Sequence, residues 1–370
     1  MRITAAVVRE HNQPLTIEND LELDDLKPNE ARVRIVATGI CHTDAVVRDG
    51  IYPTPIPAVL GHEGAGIVEE IGEAVTNVEV GDHVVLGAAY CGTCKQCRSG
   101  NPAYCLHVFA EDFGGRRRDG STSLSKNGEQ ISSHFFGQSS FATYANVVQE
   151  SLIVIDKEAP LDIVGVLGCG LNTGAGSVLN ELRPEPGTSL AVFGTGAVGS
   201  AAIMAAKIAG CTTIVALDIH DSRLELAKEL GATHTINSRD ADAVIDELVE
   251  ITDGEGINYA LDTTGIPALL TRAAKSLAKR GVLATVAATA SGTEAPFEIG
   301  DSLIQGWTFK TIIQGSSVPQ VFIPRLVELW KQGKFPFEKL VKHYDLEDIN
   351  QGFEDSANGL VIKPIVKLPS

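Results

Sequence analysis

Six of the seven cysteines fall into two arrangements that suit a metal ion. The tight one is Cys91-Gly92-Thr93-Cys94-Lys95-Gln96-Cys97, followed by Cys105. Four thiolates make a closed tetrahedral zinc site of the structural kind. The dispersed one is Cys41, then Gly61-His62-Glu63, then Cys169. Two thiolates and one imidazole leave a fourth position open for water or substrate, which is the catalytic kind. One closed set and one open set in one chain predict two zinc ions. Thiolate quartets also hold iron–sulfur clusters, so the tight run admits that reading too. A disulfide framework fits it poorly. The first residues do not read as a secretory leader, and Cys-x-x-Cys-x-x-Cys is too tight for ordinary pairing.

The elements that must position these residues are bounded by composition. The chain has 370 residues, enough for two domains, and 44 % of them are hydrophobic. No apolar run reaches the roughly 18 residues of a membrane span. A net charge of −17 argues against nucleic acid or an anionic membrane as partner. The run Arg116-Arg117-Arg118 lies among Gly, Asp and Ser and reads as a solvated loop. Thiol-rich zinc patterns without a leader fit a reducing cytoplasm. Cys211, the cysteine left over, reads as buried filler.

Residues 1–170 read as short strands punctuated by Gly and Pro, for example 31–37 and 66–71. From about 171 to 311 the texture changes to strand–helix alternation. Ser189–Phe193 is a short apolar strand, 198–209 an Ala-rich helix ending at Gly210, and 212–217 the next strand. A strand at 258–262, a helix at 267–279 and a strand at 282–287 follow. This alternation predicts an α/β fold: a doubly wound parallel sheet of the Rossmann type beside a mainly-β domain. Residues 312–370, with a helix near 322–330 and a strand at 360–366, return to the first domain.

Gly194-Thr195-Gly196-Ala197-Val198-Gly199 sits between the first of these strands and its helix. The first Gly permits the tight turn, the second lets backbone approach a pyrophosphate, and the third lets helix pack on strand. Asp218 ends the following strand. A carboxylate there accepts bonds from both ribose hydroxyls and repels a 2′-phosphate, which favours NAD over NADP. Arg223 is expected beside the same ribose.

These residues together resemble the zinc-containing alcohol dehydrogenases of the medium-chain dehydrogenase/reductase superfamily. The resemblance covers essentially the whole chain. It rests on Gly61-His62-Glu63-Gly64-Ala65-Gly66, the Cys91–Cys105 lobe, Gly168-Cys169-Gly170 and the glycine-rich turn. The segment from Cys105 to His134 and the stretch His134-Phe135-Phe136-Gly137 look most like the aryl- or benzyl-alcohol branch. The resemblance implies that the mainly-β domain is GroES-like. It makes Cys41, His62 and Cys169 the catalytic zinc ligands, a set already known for alcohol dehydrogenase. Glu63 is similar to a carboxylate that can swing onto zinc, and Asp44 to the residue that orients the histidine. Thr43 matches the hydroxyl that touches substrate oxygen. Thr173 is implied beside the nicotinamide, and His42 and Lys363 on the pyrophosphate. Val46 stands where many relatives carry the histidine that ends the proton relay. Tyr52, Phe135 and Phe136 are implied around the substrate, with Gly87 opening room where others carry a bulky aromatic. The implied activity is hydride transfer between a primary aryl or allylic alcohol and NAD, giving the aldehyde, in a homodimer or homotetramer. Two alternatives stay open: a thiol-dependent formaldehyde dehydrogenase, and a non-catalytic dinucleotide-binding sensor.

Overall fold

The computed structural model describes residues 1–240, 243–290 and 292–369. They form two units. One comprises residues 1–169, 318–329 and 337–370, and the other 170–317 and 330–336. Among the described residues no single helix is long and apolar enough to cross a membrane.

The first unit is mainly β. Its larger sheet runs Leu152–Val154, His83–Leu86, Gly64–Ile71, Glu30–Gly39, Lys363–Lys367 and Val341–Asp345, with Tyr144–Val148 also paired to Glu30–Gly39. Alternation makes the central strand: Ala31, Val33 and Ile35 are buried while Arg32 and Arg34 point outward. A second, antiparallel sheet joins Ala58–Val59, Arg2–Val8, Thr16–Leu23, Leu124–Lys126 and Glu129–Ile131. Short helices punctuate these strands, including His42–Arg48, which the sequence pattern does not announce.

Among its described residues the second unit holds six parallel strands. Their order is His234–Asn237, Thr213–Asp218, Ser189–Phe193, Ile257–Asp262, Leu277–Thr285, Thr308–Thr311. All five residues of Ser189–Phe193 are buried, as expected for a parallel strand covered on both faces. The sequence of the sheet is the doubly wound one, with the order reversing beside Ser189–Phe193. Two strands escape the sequence pattern, His234–Asn237 and Thr308–Thr311. One helix is shorter than expected: Pro267–Lys275 stops early, and the strand Leu277–Thr285 takes over the residues up to Lys279 and beyond.

Candidate functional site

The metal-type cluster is built by the central sheet. Gly64–Ile71 and Glu30–Gly39 pair antiparallel, so the loop entering one strand meets the loop leaving the other. There Cys41, His62, Glu63 and Cys169 bring their ligand atoms within 4.8 Å of one another. Cys41 caps the helix His42–Arg48, and Asp44 in its first turn organises the corner. Asp44 Oδ2 accepts from Cys41 N at 2.9 Å, and Oδ1 from Gly61 N at 3.1 Å and His62 Nδ1 at 3.0 Å. A carboxylate can only accept, so Nδ1 carries a hydrogen and Nε2 is the ring nitrogen left to serve as a metal ligand. That Nε2 is buried with no hydrogen-bond partner. A buried ring nitrogen aimed among two thiols and a carboxylate fits a zinc ion.

The thiols are prepared for a cation. Its hydrogen bond with Cys169 holds Cys41 well below the usual range against the effect of burial, with Lys363 and His62 contributing. Cys169 is pushed well up by the same bond and by burial. Burial pushes Glu63 up to about 7 despite Lys363. Lys363 itself corrects an expectation. Its buried amine donates to Glu63 Oε1 at 2.7 Å and Ile40 O at 3.2 Å, so it is committed to the cluster's carboxylate rather than held out for a pyrophosphate. Thr43 Oγ1 lies 3.9 Å from Cys41 Sγ, and His42 is exposed on the same turn. Val46 is buried on that helix.

Cys91, Cys94, Cys97 and Cys105 form the other cluster. All seven cysteines are free thiols. Cys91 and Cys97 sulfurs are 4.0 Å apart and Cys94 and Cys97 sulfurs 3.5 Å. Zinc–sulfur bonds of ~2.3 Å at tetrahedral angles place sulfurs about 3.8 Å apart. Backbone N–H groups of Cys94 and His107 point at the Cys91 and Cys105 sulfurs. Backbone donors draw Cys94 down to about 6, whereas burial pushes Cys97 up to about 12.

Aromatic rings surround His62. Phe136 stacks on the imidazole with centroids 4.4 Å apart at 24°, and Phe135 meets it edge-on at 5.5 Å. Phe113, which sequence reasoning missed, touches Phe135, Phe136 and Tyr52 within 6 Å. These neighbours come from two separate segments, so no local pattern could announce it. Gln138 was also missed. Its amide donates to His62 O and Gly87 O while its oxygen accepts from Gly64 N. The turn is held in costly backbone: His134 and Phe136 have φ of 61° and 52°. Left-handed geometry costs non-glycine residues of order 1–3 kcal/mol each.

Two expectations fail here. Gly87 does not open room along its Cβ direction, because a Cβ there would stand 2.9 Å from Ile153 Cδ1 and 3.7 Å from Pro319. Arg117 is not solvated. It is 7 % exposed and forked onto Glu30 and Asp24. Its neighbours Arg116 and Arg118 are exposed as expected, Arg118 with its guanidinium on Glu111.

The glycine-rich turn lies in the second unit. Gly194 has φ of 89°, and a Cβ on Gly199 would fall 1.8 Å from Gly194 O, so neither position admits a side chain. Nothing stands within 4 Å of a Cβ built on Gly196, which leaves a cradle over the half-exposed Ala197 and Val198 at the helix N-terminus. Asp218 ends strand Thr213–Asp218. Its Oδ2 accepts from Thr195 N and Oγ1, both at 2.9 Å, and its Oδ1 from His220 N at 3.0 Å. Burial would raise this carboxyl, but those donors hold it below its ordinary range. Arg223 Nη1 is 3.9 Å from it. Thr173 is buried in the helix Gly170–Gly176 of this unit.

Known proteins share this architecture. Residues 27–157 match the alcohol dehydrogenase GroES-like domain, and residues 197–331 the zinc-binding dehydrogenase domain. A geraniol dehydrogenase of Castellaniella defragrans is 38 % identical over 98 % of this chain and 96 % of its own. Among solved structures, an alcohol dehydrogenase zinc-binding domain protein from Burkholderia ambifaria is 51 % identical, with a TM-score of 0.98 over the full length of both chains. The benzyl alcohol dehydrogenase of Acinetobacter calcoaceticus is 46 % identical, with a TM-score of 0.96, again over both full lengths.

Proposed function

This chain belongs to the zinc-binding alcohol dehydrogenases and is a zinc-dependent alcohol oxidoreductase, and from that premise we propose that it converts primary aryl or allylic alcohols to aldehydes with NAD. The observation that carries this reading is the ring wall on the His62 side of the cluster. Two similar proteins are named for geraniol and benzyl alcohol, both with unsaturation beside the carbinol carbon. Half-buried Phe113 and Tyr52 offer apolar surface to such a group, worth about 0.5–1.5 kcal/mol per ring contact beyond area burial, and the buried rings of Phe135 and Phe136 back them.

Zinc held by Cys41, His62 and Cys169 would supply Lewis acidity toward an alcohol hydroxyl, and NAD a hydride acceptor. The protein's own groups do the rest. Asp44 fixes the His62 tautomer so that Nε2 faces the cluster. Thr43 Oγ1, beside Cys41, would hydrogen-bond the alcohol hydroxyl, and buried Val46 offers no titrating group on the same helix. The Lys363 amine restrains Glu63, the fourth member of the cluster. Asp218 receives the ribose hydroxyls of NAD and disfavours a 2′-phosphate. Cys91, Cys94, Cys97 and Cys105 hold a second zinc that supports folding. Cysteines free of disulfides fit the cytoplasm.

The test is a steady-state comparison of benzyl alcohol and ethanol with NAD and with NADP, alongside metal analysis of the same sample. Benzyl alcohol should lead in kcat/KM by about a hundredfold, because ~3 kcal/mol of extra transition-state binding suffices. Two zincs per chain should be found. Ethanol as the better substrate would reduce the rings to core packing, and iron in the four-cysteine lobe would overturn its assignment.

A homo-oligomer is the expected assembly. Strand Thr308–Thr311 is a sheet edge, and the adjoining helix Ile299–Gln305 exposes Ile299 at 81 %, Leu303 at 80 % and Ile304 at 76 %. An open edge beside an apolar patch suits pairing with a second copy. Light scattering should give a dimer or tetramer, and Leu303→Glu should shift it toward smaller species. A monomeric parent protein would sink this.

A further inference from the structure

We propose that Arg117, Glu30 and His134 form a buried latch that sets the rings of Phe135 and Phe136, which back Phe113, against His62, and that they are thereby positioning residues for substrate choice. The proposal rests on the aryl-alcohol reading.

The geometry begins at Glu30, which is 1 % exposed. Its carboxylate accepts four hydrogen bonds. Arg117 Nε and His134 Nε2 reach Oε1 at 2.7 and 2.8 Å, and Arg117 Nη2 and Lys27 N reach Oε2 at 2.9 and 3.0 Å. Four donors fill a carboxylate. Arg117 then forks onto Asp24 at 2.6 and 2.9 Å. On the other side, His134 Nδ1 lies 2.9 Å from Ser133 Oγ, which accepts from Ser123 N. Both nitrogens of the imidazole are therefore engaged, and its ring orientation is fixed.

His134 is also where the chain turns left-handed, and Phe136 repeats that geometry two residues later. Left-handed backbone at non-glycine residues persists only where surroundings over-determine it. Here the surroundings are the buried carboxylate and guanidinium. The outcome is Phe136 lying flat on the His62 ring and Phe135 edge-on to it. A wall fixed this way keeps one shape for a flat substrate group and shields one face of a metal-binding histidine.

Holoenzyme variants test it. Asn tolerates left-handed backbone but is too short to replace the imidazole reach to Glu30, so His134→Asn cuts the latch while keeping the turn available. The first expected result is a rise of about tenfold in KM for benzyl alcohol, with kcat nearly held and ethanol kcat/KM within about threefold. The second is independent of substrate. Dipicolinic acid should strip zinc about tenfold faster in the phase that Cys41→Ser lacks, with the other phase unchanged, since outer contacts tune metal retention by that order. Arg117→Met should repeat both effects if it folds. Equal losses on both alcohols, with unchanged zinc release, would mean the network only supports the fold. If the parent enzyme shows no preference for benzyl alcohol, the substrate reading fails. Faster zinc release in His134→Asn would then keep the latch but not its link to substrate choice, and unchanged release would remove both.

Discussion

Cys41→Ser is expected to abolish alcohol oxidation while leaving the fold and dinucleotide binding nearly intact. Serine cannot supply an ionised ligand near neutral pH, and Cys41 is the thiol of the pair that ionises first. Losing metal-assisted charge stabilisation removes several kcal/mol from the transition state, a drop of ~10³-fold or more in kcat. Zinc content should fall by one per chain. The glycine-rich turn and Asp218 lie in the other unit, so NADH fluorescence titration should change little. Cys94→Ser is the counterpart. The four-cysteine site closes a surface lobe, and its loss should lower Tm by roughly 10 °C, since a few kcal/mol moves a domain of this size by that order. The surviving protein should still turn over at low temperature. If Cys41→Ser mainly destabilises and Cys94→Ser mainly silences, the roles of the two clusters are exchanged.

Asp218→Gly should move the ratio of kcat/KM for NAD over NADP by about a hundredfold, from loss of a charge facing the ribose. The structure adds a complication that makes the experiment sharper. Asp218 also accepts two bonds from Thr195 inside the glycine-rich turn. Asp218→Gly should therefore weaken both cofactors while favouring NADP relatively. Asp218→Asn keeps one acceptor for Thr195 and removes the charge, so it should shift the ratio with a smaller absolute loss. A ratio that stays put in both variants would take Asp218 off the ribose.

The Cys91–Cys105 cluster and the glycine-rich turn were legible because their spacing is itself chemistry, whereas the dispersed set Cys41, His62 and Cys169 took its roles from the family resemblance. Three cysteines at every third position can converge only locally, and Gly199 is required by a carbonyl 1.8 Å from where its Cβ would be. The alternation of strand and helix after residue 170 was legible for the same reason, since burial on both faces leaves apolar runs. What could not be read depends on partners distant in sequence. Arg117 looks like a loop arginine until Glu30 and Asp24 are folded against it, 87 and 93 residues away. Phe113 joins the ring wall only through tertiary packing. Strand His234–Asn237 is a short edge with a half-polar face, so neither its length nor its pattern stands out. Gly87 misled because a missing side chain says nothing about which neighbour fills the place, and Ile153 does.

The salt bridge between Glu63 and Lys363 joins residues 300 positions apart, through a strand that pairs with Glu30–Gly39. The Cys91–Cys105 lobe closes within 15 residues. During synthesis the two clusters must mature at different times. The lobe can capture its ion soon after its own segment emerges from the ribosome. All four residues of the Cys41 cluster have emerged by Cys169, but Lys363, which holds Glu63, arrives only after the 170–317 unit has been made and the returning strand has paired. A nascent chain therefore passes through a long interval in which both thiols are present but Glu63 lacks its lysine. In that interval the pair is open to oxidation and to the wrong metal, and the reducing power of the surroundings decides how much protein reaches the active form.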